Sequence, residues 1–208
     1  MGMMGMLGKV AMGIMVAKTI GGAMGGSGGS GGIGGMLGGL LGGNKGGDAG
    51  NTPQGNKLPD LMGSLGDKNS SGLGDLLSSA LAGGSVDATP DQDKQAEVIL
   101  KAMINAAKAD GEIDADEQKK ITEHIGDITA DEIEFVKSEM SAPLDVEGVI
   151  KSVPRGMEQQ VYLMSLLTIN LDNQKEAQYL DTLAKGLNIS QQASNEIHQK
   201  VGAPKLYS

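Results

Sequence analysis

Five carboxylates fall within eight residues, at Asp110, Glu112, Asp114, Asp116 and Glu117. Self-repulsion at that density favours a bound hard cation with oxygen ligands, Ca²⁺ or Mg²⁺ rather than Zn²⁺. A second acidic turn, Asn170-Leu171-Asp172 followed by Glu176, is a poorer match to the same chemistry unless the two turns meet in space. The expected metal ligands are therefore Asp110, Asp114, Glu117 and Glu112, with Asp172 and Glu176 as a second contribution. The same acids have another use. Asp114 and Glu117 have the spacing of a helix capping box. Asp116 would sit at a helix N-terminus, where the dipole favours an acid. Asp110-Gly111 is an ordinary turn pair. On spacing alone, both uses stand.

The run from Lys108 to Glu117 resembles the second half of an EF-hand loop, with Asp110, Gly111, Glu112, Asp114 and Glu117 at loop positions 5, 6, 7, 9 and 12. The first two ligand positions would then be Ala106 and Lys108, which supply no oxygen, so a true EF-hand is not expected. Other chemistry is scarce. The chain has no cysteine, which removes disulfides, thiolate metal sites and a Cys nucleophile, and permits a reducing compartment. His124 and His198 fall in separate expected helices and read as surface residues. Tyr162 and Tyr179 occupy apolar helical positions and are expected to pack with the hydroxyl at the edge. No nucleophile or oxyanion donor can be read beside the acids, so no enzymatic activity is expected.

The elements that must position these acids lie in one half of the chain. Residues 1–89 hold 28 of the 34 glycines and 9 of the 13 methionines, with five Lys balanced by five Asp. Residues 90–208 carry the whole net charge of −9 and all four aromatic residues. An acidic half with so few aromatics repels phosphate backbones, so nucleic acid is not an expected partner. Thr89-Pro90-Asp91 is a helix start, and Ala96, Ile99, Leu100, Met103, Ile104 and Ala107 follow at helical spacing. Asp114 to Glu117 and Thr129 to Glu132 are two capping boxes. Pro143 breaks the chain before a short helix through Val146, Val149, Ile150 and Val153. Met157 to Ile169 is apolar on nearly all sides, which implies a helix surrounded by others. Asn173 starts another helix, closed near Gly186, and Ser190 caps a last one with Ala193, Ile197 and Val201. The expectation is an all-α bundle of about seven short helices over residues 90–208. Within it, Ala102–Ile121 and Ser165–Leu180 share one plan, an apolar helix, an acidic loop and a helix with a Glu in its first turn.

The first half divides in two. Residues 3–24 are apolar but interrupted by Lys9, Lys18 and five glycines. Three readings compete: an interfacial helix with the lysines reaching to head groups, a weak membrane span packed through small residues, and a partner-binding tail. Residues 25–89 read as a Gly-rich flexible linker, with a short amphipathic patch at Leu73, Leu76, Leu77 and Leu81. The expected organisation is a Gly/Met-rich, mostly disordered arm with an apolar segment at 1–24, then the bundle.

Three runs, AMINAAKADGEIDADEQKKI, PLDVEGV and VYLMSLLTINLDNQKEAQYLDTLAKGLNIS, together resemble the bacterial YebE-like group of uncharacterised proteins within the tellurite-resistance TerB-like superfamily. The resemblance covers roughly residues 92–200. It implies a helical bundle with an internal pseudo-two-fold, a stress-related role, and cation binding through acids near the pseudo-axis. The superfamily's A-D-G-x-I-D-x-x-E motif falls on Asp110, Gly111, Asp114 and Glu117, and its second motif on Asp172 and Glu176. Asn170 departs from the acid expected there. Two functions follow as expectations. One is a cation-binding domain tethered to a membrane through residues 1–24, cytoplasmic or associated with the inner membrane. The other is a structural or protein-interaction module, with an unidentified protein partner, whose acids are only helix caps.

Overall fold

A computed structural model describes residues 2–21, 58–65, 74, 76, 79, 87–111, 113, 118–119, 121, 129–169, 171 and 173–207. These form eight helices and no strand: α1 (Met3–Gly21), α2 (Leu58–Leu65), α3 (Pro90–Ala107), α4 (Ala130–Ser141), α5 (Val146–Ser152), α6 (Glu158–Thr168), α7 (Gln174–Gly186) and α8 (Gln191–Lys200). The architecture is the all-α bundle that the apolar periodicity predicts. Gln118, Lys119 and Ile121 are helical, but the rest of the helix expected after Asp114 lies outside the described residues.

Local chemistry sets the boundaries. Thr89 caps α3 in a full capping box: its hydroxyl accepts from the Gln92 N–H, and the Gln92 amide oxygen accepts from the Thr89 N–H at 2.8 Å. Thr129 and Glu132 do the same for α4. Asp145, Asn173 and Ser190 cap α5, α7 and α8. α7 closes at Gly186, as expected, but the left-handed position comes after it. Gly186 stays helical and Asn188 takes the left-handed position at φ 56°, which its short polar side chain tolerates.

α3 and α6 form the centre. α3 buries Ala96, Ile99, Leu100, Ala102, Met103 and Ile104, and α6 is buried from Gln160 to Leu166. The two helices pack along each other, with α5 and α7 beside them. α1 packs along α3 as well. Met4, Met6, Leu7, Val10 and Ile14 are each at most 2% exposed. For these five side chains the cover is the bundle itself. Full burial of an aliphatic side chain contributes about 1.5–3 kcal/mol, so five of them contribute on the order of 10 kcal/mol. That is the scale of an entire domain's stability. The close approach needs glycine: a Cβ on Gly13 would lie 3.0 Å from the Ile121 carbonyl oxygen. The α1 N-terminus borrows its cap from α3, where Asp93 Oδ1 accepts from the Met4 N–H at 3.1 Å. Among the described residues, no helix is long and apolar enough to cross a membrane.

α2 falls in the stretch the sequence reads as linker. Pro59 sits in its first turn, where a missing N–H costs nothing. Leu61 and Met62 are buried, and Gln160 of α6 donates to the Met62 carbonyl at 2.8 Å. Leu76 is helical and packs against the core, while Leu73, Leu77 and Leu81 lie outside the described residues.

Candidate functional site

The acidic turn begins where α3 stops. The Gly111 N–H bonds back to the Lys108 carbonyl at 3.1 Å, and Asp110 is exposed on that turn. Glu112, Asp114, Asp116 and Glu117 lie outside the described residues, as do Asn170 and Asp172. Glu176 is at the third position of α7, where Asn173 Oδ1 accepts from its N–H at 3.0 Å. Its carboxylate is driven inward, with the residue only 1% exposed. Among the described residues, no three His, Asp or Glu side chains come together as a metal cluster. Among the described residues, the buried oxygens without a hydrogen-bond partner include Asn105 Oδ1 on the last turn of α3 and Glu132 Oε1 on the first turn of α4. A buried oxygen without a donor is costly and is chemically a ligand for a hard cation.

The two halves of the sequence repeat meet. Ala102 and Ser165, which open the corresponding segments, both lie at the hydroxyl of Tyr179. That hydroxyl donates to the Ala102 carbonyl at 3.4 Å, with Ser165 beside it. Tyr179 is one turn after Glu176, and α7 reaches α3 at this hydroxyl while packing on α5 and α6. Burial pushes the Tyr179 phenol well above its ordinary range, and it stays neutral as a donor.

Lys108, which blocks an EF-hand reading, has a different task. It is 5% exposed, and its ammonium donates to the Glu139 carbonyl at 2.8 Å and the Ala142 carbonyl at 2.7 Å. These are orphan acceptors at the C-terminus of α4, where the dipole favours a cation. Desolvation pulls the Lys108 pKa down, opposed by Glu139 and Asp145.

The sequence reading missed one polar network. His198 is fully buried, not on the surface, and the Tyr162 hydroxyl is in the core, not at its edge. Tyr162 Oη lies 2.8 Å from His198 Nε2 and 2.8 Å from Ser194 Oγ. His198 Nδ1 meets the Pro204 carbonyl. A carbonyl only accepts, so Nδ1 carries the proton and Nε2 accepts from Tyr162. The phenol's single hydrogen is then spent, and Ser194 donates to the phenol oxygen. Burial lowers the His198 pKa, opposed by the Pro204 bond, and raises that of Tyr162. The signal was present: Ser194, Ile197, His198 and Val201 recur at i, i+3, i+4 and i+7, which marks one helix face. A stripe drawn through Ala193 instead leaves the two polar members outside.

No curated protein and no solved structure matches the chain. A family model described as "Protein of unknown function (DUF533)" matches residues 1–201, a span that runs from the docked α1 through α8. The chain belongs to that family.

Proposed function

We propose that this is a non-enzymatic, stress-related bundle of the TerB-like kind. In this reading it binds a divalent cation, Ca²⁺ or Mg²⁺, through the turn that follows α3. Asp110, Glu112, Asp114 and Glu117 are the ligands, and Asp172 and Glu176 form the second half of the site. The observation that carries this reading is Asn105 Oδ1, an amide oxygen 4% exposed and without a donor, on the helical turn that leads into the acids. The meeting of the repeat halves at Tyr179, and the burial of Glu176 one turn before it, support the same reading. The membrane tether is left out of this reading, because Met4, Met6, Leu7, Val10 and Ile14 are buried in the bundle.

The test is calorimetric titration of the full chain with Ca²⁺, Mg²⁺ and Mn²⁺, repeated on Asp110→Ala and Glu117→Ala. Saturable heat in the parent that is lost in both folded variants supports the reading. No heat at millimolar ion overturns it. The second reading, a protein-interaction module whose acids only cap helices, draws on the Thr129–Glu132 box, where an acid serves as a cap. It gains ground if Glu117→Ala lowers stability by about 1 kcal/mol with no ion-dependent difference.

A further inference from the structure

The segment that follows α8 doubles back over the bundle. Gly202 takes φ 68°, and the Ala203 N–H then reaches the His198 carbonyl at 2.9 Å. Asn195 and Tyr207 exchange two bonds, Nδ2 to the Tyr207 carbonyl at 2.9 Å and the Tyr207 N–H to Oδ1 at 3.1 Å. The Tyr207 hydroxyl donates to Asp181 of α7 at 2.9 Å. Ala203 is buried and Leu206 packs on the core. α8 and residues 202–207 are therefore one unit, held to the bundle through His198, Ile197, Val201 and the Tyr207–Asp181 bond.

We propose that this C-terminal unit is a pH-controlled strap, released from α6 when His198 takes up a proton. The seam is the Tyr162–His198 bond. With Nδ1 already donating to Pro204, a second proton can only go to Nε2, where it faces the Tyr162 hydrogen across 2.8 Å. Tyr162 must then turn its hydrogen to Ser194, whose hydroxyl must in turn rotate its own hydrogen away. Among the described residues, no carboxylate stands ready to take the new charge. α6 offers Tyr162, and the strap offers Tyr207, the Pro204 carbonyl and an exposed Lys205. On α8, Glu196 and Lys200 are exposed. Asp181 of α7 is engaged by Lys185 at 2.7 Å and by Tyr207. The imidazolium gains solvation only by leaving the core. Its bond to Pro204 strengthens on charging, so α8 and the strap move together. A helix of 10 residues is marginal alone in water, and α8 loses its protection as it leaves. Burial, which already lowers the His198 pKa, works in the same direction.

Amide hydrogen exchange of the full chain from pH 7.5 to 5.0, corrected for intrinsic rates, tests the proposal. Protection across residues 191–207 should fall at least tenfold over this range, while α3 and α6 hold theirs. His198→Asn, which can still donate to Pro204 and cannot titrate, should abolish the difference. Equal loss of protection in α3 overturns the proposal, as does an unchanged pH dependence in the variant. If the variant does not fold, the wild-type imidazole decides by nuclear magnetic resonance: titration at or above pH 6.5, or a proton on Nε2 at neutral pH, sinks the idea.

Discussion

At the residue scale, buried polar groups tie the described helices to one another. Lys108, the C-cap of α3, neutralises the carbonyl end of α4 from 31 and 34 residues earlier in the chain than the carbonyls it meets. Lys108→Met should lower stability by about 1–3 kcal/mol, the cost of leaving buried acceptors unpaired, read from the urea midpoint at constant slope. His198 sets a pH dependence of known sign. Its folded pKa lies below the ordinary 6.5, so between the two values the unfolded chain binds more protons. The contribution of neutral His198 is complete above about pH 6.5 and is lost as pH falls through the folded value. A melting temperature that does not decline on acidification across that window would contradict the buried tautomer. Gly202→Ala should cost about 1–2 kcal/mol, since its φ of 68° is left-handed. The acids and the capping residues could be read from type and spacing. For His198 the spacing of Ser194, Ile197 and Val201 marked the inward face, but its partners could not be read, because only the packing of α6 brings Tyr162 to the imidazole.

At the element scale, helices with strong punctuation were legible and those without it were not. Thr89-Pro90, Thr129, Pro143, Asn173 and Ser190 give α3, α4, α5, α7 and α8 their ends through side-chain caps and a missing N–H. α1 has apolar residues but no cap of its own, and its place depends on Asp93, far along the chain. An apolar, Gly-interrupted segment satisfies a bilayer or a bundle equally well, so its sequence could not choose. α2 was hidden by Pro59 and Gly63, which fit a linker as readily as a first turn and an exposed position. Deleting residues 1–21 should abolish cooperative unfolding by circular dichroism and expose apolar surface to a hydrophobic dye. An unchanged melting curve would mean that the burial of α1 contributes nothing. A peptide of residues 1–21 should restore the transition in trans.

At the scale of the whole molecule, a charge of −9 concentrated in residues 90–208 works against compaction. Raising NaCl from 10 to 150 mM shortens the screening length from about 30 to about 8 Å, and the melting temperature should rise. A further rise with Ca²⁺ or Mg²⁺ at matched ionic strength would separate site binding from screening. The contact between Met4 and Asp93 spans 89 positions of chain, and this has a consequence for biosynthesis. During translation α1 is made before α3 and α6, against which its side chains pack. At about 5–20 residues per second, the interval from α1 to the end of α6 is on the order of ten seconds or more. Until α3 is made, the nascent chain carries a sticky apolar segment without its main packing partner. A factor that holds such segments at the ribosome should raise the yield of this chain, and a supply of α1 after synthesis should do the same.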